Sequence, residues 1–422
     1  MHLIIYKAQI LYTSCGQEQI YKPFFHLQEL FMKATQIDHA LDGTLTPEME
    51  LISRIEKMDE ETVISRVEDG SLVIMKRDNG RCVAIGRGAT TKVNVNLGTS
   101  SDTIHPGEEI EKAHIAEKYG ADTITDLSMG GDISAIRRSI FGHTSLPITT
   151  VPVYQAVVEK GLMDMTADDI LSYLKIQVDE GVSSVVLHCV QKKMLERIKG
   201  AGRVMGMVSK GGSFTSVFML SNKCENPFIE HFDEVMEILR KKDVVLSLGN
   251  TMRSGCIHDL WDEAHKMEAE SNAQLAHKAH EHGVQVIIEG MGGHIQANDI
   301  AARVQFYRSL SNYPLFVAGP LPTDIAVGYD HIAGAVGASM ASGAGADYLC
   351  YITPAEHLSL PSPEQVREGL VAFKIASHIG DSIKYGISGK DLELARKRVR
   401  FDWEGQMEHA LDPDKPRTMC PD

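Results

Sequence analysis

The chain has 422 residues, of which 43% are hydrophobic and 23% are charged, so it can bury one large core or the cores of two domains. Its formal net charge of -15 argues against a nucleic-acid or anionic-membrane surface, because both kinds of surface need clustered lysine and arginine. This composition is that of a globular protein, and it fits small-molecule chemistry better.

The cysteines and the apolar runs indicate the compartment. The seven cysteines contain no C-x-x-C pair, which suggests neither a zinc knuckle nor a disulfide framework. They stand at positions 15, 82, 189, 224, 256, 350 and 420. No apolar run reaches the roughly 20 residues that a membrane-spanning helix needs. We therefore expect a cytoplasmic protein in a reducing environment.

The N-terminal part divides into two stretches. Residues 1–31 are apolar only in patches and make a poor signal peptide, so we expect an extension or a misassigned start, with Met32 as the alternative first residue. Thr46 and Pro47 predict a helix, because threonine caps helices well and proline is tolerated at the first helical position. Residues 63–76 then predict a small strand or hairpin. We expect residues 32–90 to form a small N-terminal domain.

Apolar runs and helical stretches alternate through the rest of the chain, which indicates a parallel sheet. The candidate strands are residues 93–97, 123–127, 148–151, 184–188, 204–208, 244–248, 284–288, 315–318 and 348–352. The candidate crossover helices are residues 110–119, 167–180, 228–241 and 260–282. Nine candidate strands predict a (β/α)8 barrel with one run extra or misassigned, and a doubly wound open sheet is the alternative. We expect the barrel at residues 91–375 and a C-terminal helical extension at residues 376–422.

Polar residues follow nearly every candidate strand. Each one alone also fits a helix cap or a satisfied core hydrogen bond. Barrel enzymes build their sites from the loops after the carboxyl ends of the strands, so we expect these residues to share one site. They are Asn94, Asn96, Asp126, Ser128, Tyr154, His188, Cys189, Asn250, Arg253, Glu289, His294, Thr323, Asp324, Asp330, His331, Glu356 and His357.

Three of these features suggest what the site binds: a glycine-rich stretch, an arginine and a pair of histidines. Residues 209–213, SKGGS, offer backbone N–H groups, hydroxyls and an ammonium that suit a phosphate, although an ordinary glycine turn is the alternative. Arg253 predicts either a second contact to an anion or a salt bridge at the barrel rim. His294 and His357 lie on different loops that converge in a barrel, so together they can ligate a divalent metal.

Several longer stretches resemble the phosphomethylpyrimidine synthase family, over most of residues 45–415. They are DLS at 126–128, TVPVY at 150–154, SKGGS at 209–213, GPLPTDIAVGYDH at 319–331, LCYITPAEHLSLP at 349–361 and FDWE at 401–404. This family consists of radical S-adenosylmethionine enzymes on a barrel fold that rearrange 5-aminoimidazole ribotide. The resemblance implies S-adenosylmethionine, a 4Fe-4S cluster and a zinc or iron ion as cofactors. We also expect a homodimer or a pair with a paralogue.

The resemblance also assigns roles to residues. It implies Glu289 as the catalytic residue, and His294 and His357 as the metal ligands. The implied ribotide contacts are Asn96, Tyr154, His188, Ser209, Lys210, Gly211, Asn250, Thr251, Met252, Arg253 and Glu289.

Some positions depart from the family pattern. NTMRSG at residues 250–255 stands where the family has DGLRPG, and EGMGGH at residues 289–294 stands where it has EGPGH. Thr125 and Phe316 replace an expected methionine and tyrosine. These departures resemble the sister branch, 5-hydroxybenzimidazole synthase, a radical carbon–carbon lyase that makes the lower-ligand base of a cobamide from the same ribotide. We expect that function in anaerobic cobalamin biosynthesis, with phosphomethylpyrimidine synthase of thiamine biosynthesis as the alternative.

The cluster motif is a further departure. The family ends in C-x-x-C-x-x-x-x-C, whose three thiolates hold the cluster with one iron free for S-adenosylmethionine. This sequence stops at Asp422, just after Cys420. We therefore expect ribotide binding without turnover, from a truncated sequence, from a version without the cluster segment, or from a non-catalytic ribotide-binding paralogue.

Overall fold

The elements before the barrel are helical and end in a hairpin. The computed structural model describes residues 34–78, 80–259 and 261–419, so the expectation for residues 1–31 lies outside the described residues. The first elements are α1 (Gln36–Leu41), α2 (Pro47–Glu56), α3 (Glu60–Glu68), β1 (Leu72–Lys76) and β2 (Cys82–Gly86). The helix predicted after Thr46 is confirmed, since the Thr46 side chain accepts a hydrogen bond from the backbone N–H of Met49.

The prediction of a strand or hairpin at residues 63–76 is wrong for the first part of that range. Val63 belongs to α3, because the Asp59 carboxylate caps that helix by accepting from the backbone N–H of Thr62 at 2.8 Å. Only the second half is a strand: β1 pairs antiparallel with β2.

Eight parallel strands close into a barrel, which confirms the (β/α)8 prediction and rejects the open sheet. The strands are β3 (Lys92–Leu97), β4 (Thr123–Asp126), β5 (Ile148–Thr150), β6 (Ser184–Leu187), β7 (Val245–Leu248), β8 (Val286–His294), β9 (Leu315–Leu321) and β10 (Tyr348–Cys350). They follow each other in chain order around the barrel, and β10 closes it by pairing with β3. Each corresponds to a predicted run of apolar residues.

The candidate strand at residues 204–208 is wrong, because this segment is a loop between two helices. Gly202 and Gly206 have φ values of 67° and 63°, which a strand does not allow. The backbone N–H of Val204 donates to the Asp259 carboxylate at 2.6 Å rather than to a neighbouring strand. Val204 is 73% exposed, so the apolar run at this point is not a buried one.

Helices surround the barrel and continue beyond it, which confirms the predicted helical C-terminal region. The barrel helices are α4 (Pro106–Lys118), α5 (Ile133–His143), α6 (Pro152–Lys160), α7 (Ala167–Asp179), α8 (Lys192–Lys199), α9 (Lys210–Asn222), α10 (Pro227–Glu230), α11 (Phe232–Arg240), α12 (Glu263–Glu281), α13 (Ala297–Leu310), α14 (Asp330–Ala344) and α15 (Pro363–Tyr385). The C-terminal helices are α16 (Gly389–Val399), α17 (Trp403–Glu408) and α18 (Asp414–Met419). The predicted helix at residues 228–241 is broken at His231 into α10 and α11. None of the helices in the described ranges is long and apolar enough to cross a membrane.

The hairpin closes the end of the barrel where the strands begin. Val73 and Val83 pack in one buried cluster with Val245 at the start of β7 and Tyr348 at the start of β10. Gln285 strengthens this contact, because its side chain accepts from the N–H of Ile74 at 2.7 Å and donates to the carbonyl of Ile74 at 3.2 Å. The opposite end, where the strands finish, is the one available for a site.

Candidate active site

A cavity of about 540 Å³ opens at the carboxyl ends of the strands. Most of the residues predicted to form the site line it: Asn96, Tyr154, His188, Ser209, Lys210, Asn250, Arg253, Glu289, His294 and His357. Its volume lies within the range of pockets that bind small molecules. The structure thus brings together residues that are spread over more than half of the chain.

Gly211, Thr251 and Met252 lie behind the cavity wall instead. Thr251 and Met252 are fully buried, and their backbone N–H groups point at the carboxylate of Glu268. The Met252 side chain packs in an apolar cluster outside the barrel. The loop turns these side chains away from the cavity, which a strand-end pattern in the sequence does not reveal.

Residues 209–213 form the first turn of α9. Ser209 is its N-cap, and the Ser209 hydroxyl accepts a hydrogen bond from the N–H of Gly212 at 3.2 Å. The first N–H groups of a helix have no partner within the helix and favour an anion. The ammonium of Lys210 lies 6.0 Å from the ring centre of Tyr154, also at the cavity. This arrangement suits a phosphate at the end of α9.

The ring of His188 is held between two glycines. A Cβ atom on Gly211 would lie 2.5 Å from the His188 ring, and one on Gly249 would lie 2.9 Å from it. Burial, together with the positive charge of Arg253, lowers the pKa of His188 to about 3. His188 therefore faces the cavity as a neutral imidazole, able to hydrogen-bond without adding charge.

Replacing Gly211 with alanine is expected to destabilise the protein by about 1–3 kcal/mol, because the new methyl group overpacks against the His188 ring. Gly107→Ala is the matched control. Gly107 is also the second residue of its helix, but no atom beyond its own stretch of helix lies within 4 Å of the position that its new methyl group would take, so alanine there should stabilise by about 0.4–1 kcal/mol. Thermal melting of both variants checks this. Equal melting temperatures for the two would contradict the account of the His188 packing.

The loop after β7 presents two polar side chains to the cavity. Asn250 is buried, and neither its Nδ2 nor its Oδ1 atom has a hydrogen-bond partner among the described residues. The Arg253 guanidinium donates to the carbonyl of Asn250 at 3.1 Å. In the described part of the chain no carboxylate lies within ion-pair distance of Arg253, which favours the anion contact over the rim salt bridge.

Glu289 stands at the cavity on β8. Its carboxylate accepts a hydrogen bond from the Ser247 hydroxyl at 3.0 Å. Burial raises the pKa of Glu289, while the Ser247 hydrogen bond and the positive charge of Arg253 oppose that shift. A carboxyl group with a raised pKa beside a substrate-sized cavity is a candidate general acid or base.

The extra residue before His294 is absorbed as a β-bulge. The pairing of β8 with β9 shifts register between Glu289 and Gly292 and again between Gly292 and His294. Gly293 has a φ of 77°, and a Cβ atom there would lie 2.2 Å from the carbonyl oxygen of Ser254, so only glycine fits. The bulge returns His294 to the cavity, where the resemblance requires it.

His294 and His357 meet across the cavity. Their Nε2 atoms are 3.2 Å apart, and their Nδ1 atoms lie 2.6 Å from Asp324 and 3.1 Å from Asp330 respectively. Two nitrogens on a tetrahedral zinc at about 2.0–2.1 Å are about 3.3 Å apart, so this pair fits a divalent cation. Carboxylates on the outer nitrogens are typical of metal-binding histidines. Within the described ranges no group of three or more potential ligands is present, so the other coordination positions would belong to substrate or water.

Sequence reasoning missed Cys350 and Ser247. Cys350 lines the cavity, where the Asn96 amide donates to its sulfur at 3.0 Å. Burial raises the pKa of the Cys350 thiol to about 12, so it stays protonated. Its place at the end of β10 is the sequence feature that could have identified it, because the other strands end in site residues in the same way.

Comparison with known proteins decides the family. A sequence profile described as the Radical SAM ThiC family matches residues 35–422. The chain belongs to this family. Membership implies S-adenosylmethionine and an iron–sulfur cluster as cofactors.

Relatives within the ThiC family are similar along nearly their whole length. A phosphomethylpyrimidine synthase from Dehalococcoides mccartyi is 45% identical over 397 residues, which cover 91% of this chain and 92% of that protein. One from Geobacter metallireducens is 43% identical over 402 residues, which cover 92% of each. Among solved structures, a Coxiella burnetii dihydropteroate synthase aligns with a TM-score of 0.41 at 9% identity, over 73% of this chain and 98% of that one. That similarity is too weak to carry an argument.

The prediction of a 5-hydroxybenzimidazole synthase in cobalamin biosynthesis is wrong, because these relatives are phosphomethylpyrimidine synthases. Two of the departures that suggested it leave their side chains at the cavity. The bulge absorbs the added residue before His294, and asparagine at position 250 keeps the shape of an aspartate. With both changes present, Asn250 and His294 line the cavity.

Proposed function

We propose that this chain is a phosphomethylpyrimidine synthase, a radical carbon–carbon lyase that rearranges 5-aminoimidazole ribotide into the pyrimidine phosphate of thiamine biosynthesis. The observation that carries this proposal is the arrangement of the cavity. The N-terminus of α9 and Arg253 offer positive potential for a phosphate, while Glu289 and the two histidines line the same space. The names of the relatives add independent support.

The ribotide phosphate would bind at α9. The N–H groups of its first turn and the Lys210 ammonium favour a dianion, and Arg253 adds a charge-assisted contact. Asn96, Tyr154 and Asn250 line the same cavity and would contact the ribose and imidazole of the ribotide. Asn250 can donate and accept at once, so it can orient a ring that carries both kinds of group.

Glu289 would move the protons that the rearrangement requires. Burial raises the pKa of Glu289, which favours a role in proton transfer, and the Ser247 hydroxyl holds the carboxyl in one orientation. Val186, Phe316 and Ile352 add apolar side chains to the lining of the cavity. An apolar lining would help to keep water from reactive intermediates.

The proposed cofactors would bind in two places, S-adenosylmethionine at the iron–sulfur cluster and a metal ion at the histidine pair. Bound to a 4Fe-4S cluster, S-adenosylmethionine supplies the adenosyl radical that starts the rearrangement. His294 and His357 would hold a zinc or iron ion, oriented by Asp324 and Asp330. The Nε2 atoms of the two imidazoles, which lie 3.2 Å apart, would be the atoms that hold the ion.

The test is product analysis. The complete gene product, reconstituted anaerobically with iron and sulfide, is incubated with 5-aminoimidazole ribotide, S-adenosylmethionine and a low-potential reductant. We expect the pyrimidine phosphate as the main product by mass spectrometry, and saturable ribotide binding by calorimetry. Failure to bind ribotide, or a different main product, would reject the proposed function.

A further inference from the structure

A buried carboxylate outside the cavity holds the loop that carries Asn250 and Arg253. Glu268, on α12, is 1% exposed. One of its oxygens accepts from the N–H of Thr251 and the other from the N–H of Met252, both at 2.8 Å. These are the two residues between Asn250 and Arg253. Two charge-assisted hydrogen bonds from one carboxylate fix the loop backbone in both position and direction.

The same helix also holds the carbonyl side of this loop. Asp262, the N-cap of α12, binds the Arg203 guanidinium at 2.6 Å and 3.1 Å. Arg203 in turn donates to the carbonyl oxygens of Met252 at 2.7 Å and Arg253 at 3.3 Å. Glu268 of α12 therefore holds the N–H groups of the loop directly. Asp262 holds the carbonyl groups of the loop indirectly, through Arg203.

The loop also supports the proposed phosphate site. A Cβ atom on Gly212 would lie 2.4 Å from the Thr251 side chain, so Thr251 packs directly against the first turn of α9. A shift of Thr251 would move Asn250, Arg253 and this turn together. The three groups that face the ribotide thus share an attachment to the Glu268 carboxylate, beside the one that Arg203 provides.

We propose that Glu268 is a positioning residue, whose carboxylate holds Asn250, Arg253 and the start of α9 in the arrangement that binds 5-aminoimidazole ribotide. The part of this inference that concerns the ribotide rests on the proposed function. The attachment of the loop to Glu268 does not, because it follows from the contacts of the unliganded protein. No contact of Glu268 with the cavity is involved.

The surroundings of Glu268 make this attachment sensitive to protons. Burial raises the pKa of Glu268, while the hydrogen bonds from Met252 and Thr251 and the charge of Arg253 lower it. Burial has the larger effect, and the resulting pKa is about 7. The other facing groups are Cys189, Tyr307 of α13 and, on α12 itself, His265, which is hydrogen-bonded to Tyr307. Burial raises the pKa of Cys189 to about 12 and that of Tyr307 well above its usual value, and lowers the pKa of His265 to about 3, so all three are neutral near pH 7.

Protonation near pH 7 converts one acceptor oxygen of Glu268 into a hydroxyl and weakens one of the two bonds. The ribotide phosphate also titrates near pH 6, so wild-type affinity alone cannot separate the two groups. Glu268→Gln removes the titration of the side chain at position 268 and keeps that of the ribotide phosphate. We expect wild-type affinity for ribotide to fall about tenfold more between pH 8 and pH 5.5 than the affinity of the variant does.

Hydrogen exchange tests the attachment without any ligand. In Glu268→Gln the amide group can accept at one oxygen only, so we expect the peptide spanning residues 250–259 to exchange about tenfold faster than in the wild type at pH 8. Glu270→Gln is the matched control, since Glu270 is an exposed residue of the same helix, and its exchange should equal that of the wild type. Unchanged exchange in Glu268→Gln overturns the proposal, whatever the ribotide result.

Ribotide calorimetry then tests the consequence. At pH 8 we expect the dissociation constant to rise about tenfold in Glu268→Gln and to stay unchanged in Glu270→Gln. Faster exchange with unchanged ribotide affinity would overturn the positioning role. If the wild-type protein binds no ribotide, the proposed function falls, while the exchange data still decide whether Glu268 holds the loop.

Thermal melting separates positioning from general destabilisation. A carboxyl group whose pKa is raised on folding contributes stability at pH values below the unfolded pKa, and loses it as the pH rises through the folded pKa of about 7. Glutamine does not ionise, so it does not lose stability as the pH rises. The difference in melting temperature, Glu268→Gln minus wild type, should therefore be more positive at pH 8 than at pH 5. A variant that is equally destabilised at both pH values would mean that its weaker binding reflects structural damage, and would overturn the proposal.

Discussion

Glu289→Gln should lower the turnover of 5-aminoimidazole ribotide by about 10²–10⁴-fold, the usual contribution of a positioned general acid or base. Glutamine has the same shape and can still accept the Ser247 hydrogen bond, so the cavity should keep its geometry. It cannot give up or take a proton at that position. The loss should therefore fall on kcat, with ribotide affinity within about threefold of the wild type.

Anaerobic steady-state kinetics and ribotide calorimetry measure the two effects separately. Glu111→Gln is the matched control, because it makes the same chemical change on an exposed face of α4. A variant that keeps more than a tenth of wild-type turnover would remove Glu289 from the proton-transfer role. Loss of binding without loss of turnover would assign it to substrate recognition instead.

His357→Ala should reduce the zinc or iron content of the purified protein to less than about a tenth of the wild-type value. Of the described residues, His294 and His357 are the two that face each other with suitable geometry, so removing one halves the protein ligands of the proposed ion. A substitution of Asp330 would keep both histidine ligands, whereas His357→Ala removes one of the two. His294→Ala should have the same effect, because each imidazole would supply one nitrogen to the ion.

Elemental analysis of the purified variants is the measurement. His277→Ala is the control, since the His277 side chain is 70% exposed on α12 and pairs only with a neighbouring glutamate in the described structure. Unchanged metal content in both His294→Ala and His357→Ala would return the two histidines to a structural role, in which each is a hydrogen-bond partner of its aspartate.

The barrel could be predicted because buried parallel strands have a local pattern. Short runs of β-branched and other apolar residues, separated by helical stretches, identified all eight strands. The error at residues 204–208 has the same origin, since a short apolar run carries no information about whether it is buried. Two glycines with positive φ and the Asp259 hydrogen bond take this segment out of the sheet, and Asp259 is distant in the sequence.

The branch of the family could not be predicted from the sequence, for a related reason. An added residue before His294 suggested a different branch, but a β-bulge absorbs it and leaves the histidine at the cavity. Whether an insertion displaces a side chain depends on the pairing of the neighbouring strand. In this protein β9 accommodates the change, and Gly293 lets the backbone pass close to Ser254.

The sequence by itself determined the alternation of strands and helices, the polar residues at the strand ends and the glycine-rich turn at α9, because each depends on neighbours within a few positions. Only the tertiary structure decided that His294 meets His357, that Thr251 and Met252 turn away from the cavity, and that Glu268 holds their N–H groups. Those contacts join residues from 16 to 63 positions apart. They depend on which way irregular loop backbone turns, and long-range packing and buried hydrogen bonds set that direction.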